Sequence, residues 1–573
     1  MKIVEISINN FRSIKKSKFN INDVTAIVGA NNSGKSSILR ALNCFFNLEE
    51  EKKDFYEKKH QYTIRSSPII EIKFTDIPNK QLYSGYLNNN EFIIRLKFYP
   101  NTNKFKYQIK NARTYVDIKP DFISGLKDDI TFVLIPTSRD YKQTTTSEKT
   151  ILKNLLETFL EKHTAKRDTL SPKINDSVRY FSKYALNKVA RELNLYYALK
   201  HKFNFELSHE KNIDYKILLD DLSLLINEKD KKFRLNDVGS GIQSLVIIAM
   251  FRYLSELKNN NIILGIEEPE INLHPQSQIE WIKSIKSYPY KNVLQVIFTT
   301  HSSIIIDYID HTDIILCKKY NDDSRGFKTI TNKISNDFWT RYNLRLTKYY
   351  QFYRYRNSEF FYSKFVIVVE SKTDAEVVKR LLLKRKIDTE LLGISFLNLE
   401  GVKNFKYPFY LLKELEIPFF TILDKDFFLP YSNNSANKSR NSSGFFKYKK
   451  QYKNDSVIKS LIPSQTDRAK LLKLMFSNHS KALDLFVKHN IICFKYNLEM
   501  DLIASVVATN KFFDILGVEQ KNRNRKYLLV NKKDNIKNLE NLLEVIDNIP
   551  HKNLPNSYKR IKNILEKKIN ELF

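Results

Sequence analysis

The chain has few cysteines and no long apolar run. Its three cysteines, Cys44, Cys317 and Cys493, are too few and too widely spaced for a disulfide framework or a zinc site. No apolar stretch of about 18 residues and no signal peptide is found, which argues against membrane insertion and secretion. The sequence also lacks a fixed-period repeat and a long heptad run, so a long coiled-coil arm is not expected. These absences predict a cytoplasmic protein with no membrane partner.

Acidic residues are outnumbered by basic ones. The 573 residues include 95 Lys and Arg against 64 Asp and Glu, which gives a net charge of +31 and a sequence pI near 9.6. This surplus favours nucleic acid as a partner, and charge does not distinguish DNA from RNA. An AT-rich coding sequence would also enrich Lys, Asn, Ile, Tyr and Phe, so that explanation stays open. The length suggests about three or four domains.

The strongest motif is a phosphate-binding loop at residues 29–36, Gly-Ala-Asn-Asn-Ser-Gly-Lys-Ser. It lies between an apolar stretch at 25–28, predicted to be a buried strand, and the start of a predicted helix at 37–42. This context disfavours a chance match. Lys35 is expected to reach the β- and γ-phosphates of ATP, and Ser36 to hold Mg²⁺. The loop residues predicted to bind the nucleotide are Gly29, Asn31, Asn32, Ser33, Gly34, Lys35, Ser36 and Ser37.

Two carboxylates leave the end of another apolar stretch, residues 262–266. Glu267 and Glu268 lie where Mg²⁺ and the attacking water of a nucleotide hydrolase are found. Glu267 is expected to support the metal shell and Glu268 to polarise water. Because Asp-Glu is the commoner pair, the division of roles between the two stays open.

Two smaller signals complete the predicted nucleotide site. His301 follows a strand-like stretch and is placed to sense the γ-phosphate, although a lone histidine is more often structural. The segment 239–241, Gly-Ser-Gly, opens an apolar helix whose amino terminus suits a phosphate group. Its candidate contacts are Ser240, Gly241 and Gln243.

The periodicity of apolar residues divides the chain into five parts. Strand patterns dominate 1–140 and return at 231–336, whereas 141–230 has the three- and four-residue spacing of helices. A nucleotide-binding fold split by a helical insertion is therefore predicted. The segment 337–364 is predicted to be a connecting helix, and 365–573 a second α/β domain with carboxy-terminal helices.

The connecting segment is rich in aromatic and basic residues. Such interleaving suits stacking against single-stranded nucleic acid, and it equally suits a helix packed between two domains. Packing is favoured because large aromatic side chains are usually buried. The residues are Trp339, Arg341, Tyr342, Arg345, Tyr349, Tyr350, Phe352, Tyr353, Arg354, Tyr355, Arg356, Phe360, Phe361 and Tyr362.

Three pairs of carboxylates occur in the second α/β domain, two of them directly after predicted strands. Since strand ends of a parallel sheet meet at one edge, the pairs are expected to converge. Clustered carboxylates repel unless they hold cations, and oxygen-only ligation suits Mg²⁺ or Mn²⁺, which can promote phosphodiester cleavage. The alternative is a set of unrelated surface acids. The candidates for catalysis and metal binding are Glu370, Asp374, Asp424, Asp426, Glu499 and Asp501.

A basic segment, residues 438–453, follows the second pair. It is either a loop that grips a phosphate backbone beside the metals or a solvated lysine-rich loop. It contains Lys438, Arg440, Phe445, Phe446, Lys447, Tyr448, Lys449, Lys450 and Lys453 and no acidic residue.

The amino-terminal motifs together resemble the ABC-type ATPases of the SMC and RecF-like group. Phe11 and Arg12 match that group's opening Asn-Phe-Arg, which adds Arg12 to the nucleotide contacts, and residues 239–241 occupy its signature position. The resemblance implies that two ATPase heads sandwich ATP, with Ser240 of one head facing the phosphate loop of the other. It also implies that the helical insertion serves dimerisation.

The second half resembles a TOPRIM domain, and the order of domains is similar to that of the OLD (overcoming lysogenization defect) family, which includes the Gabija nuclease subunit. The resemblance implies a metal-dependent DNA endonuclease of anti-phage defence, working as a dimer or tetramer, with a helicase or another defence protein as a further partner. Its metal-site acids correspond to the six carboxylates above, and a basic residue to Lys532 or Lys533. Ser371 stands where most TOPRIM motifs have glycine. The alternatives are an RNA or tRNA nuclease and a DNA-binding scaffold with an inactive TOPRIM domain.

Overall fold

A computed structural model of the chain forms two compact units, Met1–Thr331 and Asn332–Phe573. Within the described residues, every helix is too short or too polar to span a bilayer. The described residues are 1–56, 67–137, 148–196, 207, 224–228, 231–238, 240–258, 261–271, 273–286, 294–322, 326–354, 358–454 and 456–572.

The first unit is built on one large mixed sheet. Its strand order is β7-β6-β5-β4-β1-β2-β14-β13-β3-β12-β11-β8, and β9 and β10 form a separate hairpin. The strands are β1 (Lys2–Phe11), β2 (Ile14–Asn20), β3 (Val24–Val28), β4 (Ile69–Thr75), β5 (Phe92–Tyr99), β6 (Lys104–Asn111), β7 (Thr114–Asp117), β8 (Ile130–Ile135), β9 (Leu225–Glu228), β10 (Lys231–Arg234), β11 (Asn261–Glu267), β12 (Leu294–Thr299), β13 (Ile314–Asp322) and β14 (Gly326–Asn332).

The two halves of this sheet differ in strand direction. Strands β8, β11, β12, β3 and β13 run parallel, and β3 and β11 are buried along nearly their whole length, as expected for strands covered on both faces. Strands β2, β1, β4, β5, β6 and β7 pair antiparallel, and β4 and β5 alternate buried with partly exposed residues. The parallel half brings the carboxyl ends of β3, β11 and β12 to one edge.

Helices of the first unit cover the sheet or belong to the insertion. They are α1 (Lys35–Phe46), α2 (Leu48–Tyr56), α3 (Gln81–Ser84), α4 (Pro120–Asp129), α5 (Glu148–Lys162), α6 (Thr164–Phe181), α7 (Asn187–Tyr196), α8 (Ser240–Lys258), α9 (Pro275–Lys286) and α10 (Ser303–Ile306). Helix α1 packs on the parallel half, where Phe46 stacks on Phe132 with ring centroids 5.9 Å apart.

The described part of the predicted helical insertion, 141–230, contains both helices and a strand. Helices α5, α6 and α7 lie in it, but β9 pairs antiparallel with β10, where the sequence predicted helix up to residue 230. These short segments lack the three- and four-residue apolar spacing that buries a helix face, so a two-stranded ladder satisfies their backbone instead.

The second unit contains a four-stranded parallel sheet of order β16-β15-β17-β18, as the sequence predicted. Its strands are β15 (Phe365–Val369), β16 (Ile394–Asn398), β17 (Phe419–Leu423) and β18 (Ile491–Cys493). Its helices are α11 (Phe338–Arg341), α12 (Leu346–Tyr353), α13 (Lys372–Leu383), α14 (Lys406–Glu414), α15 (Lys425–Phe428), α16 (Ser456–Leu461), α17 (Gln465–Ser477), α18 (His479–Val487), α19 (Leu498–Ile503), α20 (Val506–Ile515), α21 (Arg525–Asn531), α22 (Lys533–Lys537), α23 (Leu539–Asn548) and α24 (Asn556–Leu572). The predicted α/β fold class is therefore confirmed for both halves of the chain.

The aromatic segment is part of the second unit rather than a single connecting helix. It forms α11, α12 and a 3₁₀ turn, Ser358–Tyr362. Tyr349 is fully buried, and Tyr342 stacks on Tyr410 of α14 with ring centroids 4.0 Å apart. Most of the described rings are buried in this way, which agrees with the packing role that the sequence favoured, whereas Trp339, Tyr342, Tyr350 and Tyr362 are partly exposed and Tyr355 lies outside the described residues.

Candidate nucleotide and carboxylate sites

The phosphate loop connects β3 to α1, as its motif requires. Gly29 and Gly34 adopt φ angles of 146° and 98°, conformations that side chains rarely permit. A Cβ atom on Gly29 would lie 2.2 Å from the carbonyl oxygen of Cys317, and one on Gly34 would lie 2.3 Å from Thr329 Oγ1. Both glycines are therefore required by the close approach of β13 and β14 to the loop.

Lys35 lies inside the loop. Its Nζ donates hydrogen bonds to the carbonyl oxygens of Gly29 (3.0 Å) and Ala30 (2.9 Å), and the residue is 5% exposed. Burial lowers the pKa of Lys35. The loop is anchored from outside because Thr329 Oγ1 donates to the carbonyl of Ser33 at 2.9 Å. An anion bound here would meet a preformed cradle of backbone and one buried cation.

Glu267 ends β11 in a buried position. Its Oε2 accepts hydrogen bonds from the backbone and hydroxyl of Thr137, both at 3.3 Å, and Oε1 lies 3.7 Å from Arg40 Nε. Arg40 and Arg12 in turn lie 3.2 and 3.7 Å from the carboxylate of buried Glu51. This network holds Glu267 in place, and the sequence motifs did not identify Arg40 or Glu51.

Glu268 and His301 are brought together, as predicted. Glu268 has a positive φ of 46°, and its amide donates to the carbonyl of Thr299 at 3.1 Å, which turns the chain at the strand end. His301 Nε2 lies 3.6 Å from Glu268 Oε1. Burial, reinforced by Lys35, lowers the pKa of His301, so its ring is neutral at pH 7.

The predicted signature segment begins a helix. Helix α8 starts at Ser240, and Gln243 Nε2 donates to the carbonyl of Val238 at 2.9 Å. Gly239 and the side chains of Ser240 and Gly241 lie outside the described residues. Their contact with a nucleotide remains a prediction.

In the second unit, an acidic cavity of about 320 Å³ opens at the carboxyl ends of β15 and β17. Glu370, Asp424, Asp426 and Glu499 line it together, so four of the six predicted carboxylates converge. Burial, and next the charges of Asp426 and Asp374, raises the pKa of Glu370 to about 7. Burial and the neighbouring acids also raise the pKa of Asp424 well above its usual range.

Asp374 lies beside the cavity and Asp501 does not line it. Asp374 is the third residue of α13 and its Oδ2 accepts hydrogen bonds from Ser371. Asp501 is 2% exposed, and its two oxygens accept backbone hydrogen bonds from Lys495 (2.8 Å) and Tyr496 (2.9 Å). Asp501 thus serves to fix the turn before α19, which sequence spacing could not distinguish from metal binding.

Basic and aromatic residues also line the acidic cavity. Lys533 lines it, in agreement with one of the two weak sequence assignments, and so do Asp534 and Lys537, which the sequence did not identify. Lys537 Nζ lies 3.4 Å from Glu499 Oε1. Asp534 and Lys537 belong to α22. The sequence argument considered residues that follow strands, so it could not predict that this helix would lie beside the cavity.

Part of the basic segment lines the cavity, whereas its lysines are exposed to solvent, namely Lys438, Lys447, Lys449, Lys450 and Lys453. Arg440, Phe446 and Tyr448 line the cavity, together with Tyr431. Tyr431 donates its hydroxyl to Asp426 Oδ2 at 3.0 Å, and Arg440 lies over the Phe446 ring at 4.6 Å. Cations and rings thus line the same cavity as the carboxylates, and Tyr431 and Lys537 contact them directly.

The donor set of this cavity fits a hard divalent cation. It supplies carboxylate oxygens, and Oε2 of Glu370 is buried and has no hydrogen-bond partner within the described part of the chain. No three carboxylate, imidazole or thiol groups of those residues already enclose a metal position. Binding of an ion would therefore draw the carboxylates together and relieve the repulsion that raises their pKa values.

Comparisons with known proteins match both halves of the chain. The family profile described as AAA ATPase domain (AAA_15) matches residues 1–134 and 130–306, and the profile described as overcoming lysogenization defect protein-like TOPRIM domain matches 361–426. The Old nuclease of Escherichia phage P2 is 24% identical over 430 residues, which is 67% of this chain and 70% of that protein. The OLD nuclease of Thermus scotoductus is 26% identical over 205 residues, 36% and 38% of the two chains.

Solved structures give weaker likenesses. The SMC head domain from Thermotoga maritima is 15% identical, with a TM-score of 0.32, over 58% of this chain and 100% of that one. The Smc head domain with an extended coiled coil derived from Pyrococcus furiosus is 15% identical, with a TM-score of 0.37, over 58% and 96%. The family assignment rests instead on the two profiles and on the sites described above. The chain belongs to the AAA ATPase domain family and also carries an OLD-like TOPRIM domain, so it is an ATPase–TOPRIM nuclease similar to the Old nucleases.

Proposed function

We propose that the chain is a divalent-metal-dependent DNA endonuclease whose cleavage is controlled by ATP at the amino-terminal site. The observation that supports it most is the acidic cavity, where Oε2 of Glu370 has no hydrogen-bond partner within the described residues and other carboxylates and basic side chains line the same space. A cation-binding edge beside Lys533 and Arg440 suits a phosphodiester, because the metals and the basic side chains both attract phosphate oxygens.

Each wall of the cavity has its own task in this proposal. Glu370, Asp424 and Asp426 would hold Mg²⁺ or Mn²⁺, which when bound activates water and stabilises the leaving oxygen. Tyr431 holds Asp426 in orientation through its hydroxyl. Lys533 and Arg440 would position the phosphate backbone.

At the nucleotide site, Lys35 would bind the phosphates of ATP and Ser36 its Mg²⁺. Glu268 would polarise the attacking water, and neutral His301 beside it would sense the γ-phosphate. Arg12 and Ser240 are further nucleotide contacts in this proposal, with Ser240 acting on the phosphate loop of a second copy. We further propose assembly as a dimer through the ATPase heads and a role in anti-phage defence, both from the OLD resemblance.

One alternative target is RNA. The rings of Tyr431, Phe446 and Tyr448 line the cavity, and ring faces stack on unpaired bases of either nucleic acid. The other alternative, an inactive TOPRIM domain, was based on Ser371. The side chain of Ser371 caps the amino terminus of α13, which gives a structural role to the serine at this position.

The test is cleavage of plasmid DNA and of a cellular RNA pool by the full chain in Mg²⁺ or Mn²⁺, with and without nucleotide. Glu370→Gln should abolish cleavage, whereas Glu376→Gln, a 45% exposed acid on α13, should leave it intact. Uncut plasmid together with specific RNA fragments would move the proposal to RNA. Equal cleavage by Glu370→Gln and the parent chain would refute the assigned site.

A further inference from the structure

A second polar cavity lies at the other end of α13. Its volume is about 450 Å³ and it is lined from α13, α23 and α24. Asp374 lies in the first turn of α13 and Lys384 directly follows its last residue, about 15 Å further along the helix axis. The two cavities share no lining residue among those described.

The cavity is basic. Lys384, Arg385, His551 and Lys562 line it, against a single acidic lining residue, Asp547. Asp547 is engaged with Arg380, 3.4 Å away, and Arg385 is paired with Glu566 at 3.3 Å. The charges of Asp547 and Glu566 also act on Lys384 and Lys562, but the three lining cations, Lys384, Arg385 and Lys562, outnumber these two acids.

Lys562 is the central cation. It is 2% exposed, and the hydrogen bond recorded for its Nζ within the described part of the chain is to Nε2 of His551, a neutral acceptor. A buried ammonium group whose hydrogen-bond acceptor carries no charge is costly. Burial accordingly lowers the pKa of Lys562.

Lys384 adds a second positive charge, and hydrogen bonds hold its ammonium group in position. Its Nζ donates to the carbonyl oxygens of Ile546, Asp547 and Ile549, the last two at 3.2 Å, at the carboxyl end of α23. These carbonyls hold the lysine but have no charge to neutralise it. The remainder of the wall is apolar, from Leu381, Ile549, Pro550 and Leu554.

We propose that this cavity binds a phosphate-bearing small molecule of mononucleotide size. The phosphate would pair with Lys562, the positive charges of Lys384 and Arg385 would add to its attraction, and the apolar wall would cover a sugar or base. The volume lies in the range of small-molecule sites. This site is separate from both the phosphate loop and the acidic cavity, so it does not depend on the proposed endonuclease activity.

The test is calorimetric titration of AMP, with adenosine as the phosphate-free control, into the full chain bearing Lys35→Ala and kept in EDTA. These conditions remove binding at the phosphate loop and metal-mediated binding at the acidic cavity. AMP should bind and adenosine should not. Lys562→Met should weaken AMP binding by about tenfold or more, the effect of losing one charge-assisted hydrogen bond, while Lys562→Arg should retain it.

Lys567→Met is the matched control, because Lys567 lies on the same helix, is exposed and does not line this cavity. Should Lys562→Met not fold, Arg385→Gln, at a half-exposed position, replaces it. No binding of AMP, or equal binding by the Lys562→Met and Lys567→Met variants, would overturn the proposal. A competition experiment distinguishes two sources of the phosphate. If a 5′-phosphorylated trinucleotide displaces AMP and an unphosphorylated one does not, the ligand is the phosphorylated end of a nucleic-acid strand. If neither trinucleotide displaces AMP, the ligand is a free nucleotide. Both results support phosphate recognition.

Discussion

Ser371 and Asp374 bind each other in both directions. The amide and the hydroxyl of Ser371 donate to Asp374 Oδ2 at 2.8 and 2.7 Å, and the amide of Asp374 donates back to Ser371 Oγ at 3.3 Å. This reciprocal cap begins α13 directly after Glu370. A residue that departs from the usual TOPRIM glycine therefore fixes a carboxylate beside the acidic cavity.

Replacing Ser371 by alanine should weaken both the fold and the site. Loss of the cap costs about 1 kcal/mol of unfolding free energy, and a freed Asp374 should lower the affinity for Mg²⁺. Urea unfolding and metal titration of the full chain measure the two effects. Ser464→Ala, which removes the hydroxyl that caps α17, should cost similar stability but leave Mg²⁺ affinity unchanged. Equal Mg²⁺ affinity in both variants would show that the cap has no influence on the site.

The acidic cavity should make stability fall as pH rises when metal is absent. The pKa of Glu370 is about 7 in the folded chain against an ordinary 4.5, so the folded state holds an extra proton between these values. Stability from this group is complete below pH 4.5 and is lost as pH rises through 7. Thermal unfolding in EDTA across pH 5–8 should show the decline. Glu370→Gln should flatten it, and saturating Mg²⁺ should offset it; a decline that Glu370→Gln leaves unchanged would contradict this origin.

Lys35 and Glu370 should act on different steps. Lys35→Ala removes the buried cation of the phosphate loop, so ATP binding should fall by about tenfold or more and the control of cleavage by ATP should be lost. Cleavage at saturating metal without nucleotide should persist, in contrast to Glu370→Gln. Plasmid cleavage and sedimentation of the same samples provide the measurement. Loss of nucleotide-free cleavage by Lys35→Ala with an unchanged oligomer would show that the two sites are not separable.

Asp501→Asn should affect folding rather than metal binding. The carboxylate accepts two backbone hydrogen bonds in a buried position, and an amide can accept only through its one oxygen. The unfolding free energy should fall by about 1–3 kcal/mol, while Mg²⁺ affinity per folded molecule stays the same. Asp426→Asn, at a residue that lines the cavity, should show the opposite pattern. A loss of Mg²⁺ affinity in Asp501→Asn would return Asp501 to the metal site.

Much of the nucleotide site was predictable because its chemistry depends on short segments. Residues 29–36 must form a phosphate loop wherever a strand precedes and a helix follows, and Glu268 and His301 meet because adjacent parallel strands end at one edge. Arg40 and Glu51 were not found, since they belong to helices with ordinary amphipathic patterns. Their relation to Glu267 depends on how those helices pack.

The sequence by itself determined the strand that ends at Glu267 and the strands that directly precede Glu370 and Asp424, because short continuous apolar runs rich in β-branched and aromatic residues are typical of buried parallel strands. It also determined the acidic character of those strand ends. Only the tertiary structure decided which acids share a cavity. Glu499 and Asp501 both lie on α19, yet the carboxylate of Asp501 accepts hydrogen bonds from the amides of Lys495 and Tyr496 and does not line the cavity. Side chains two residues apart on a helix point in different directions, so their environments depend on what packs around them.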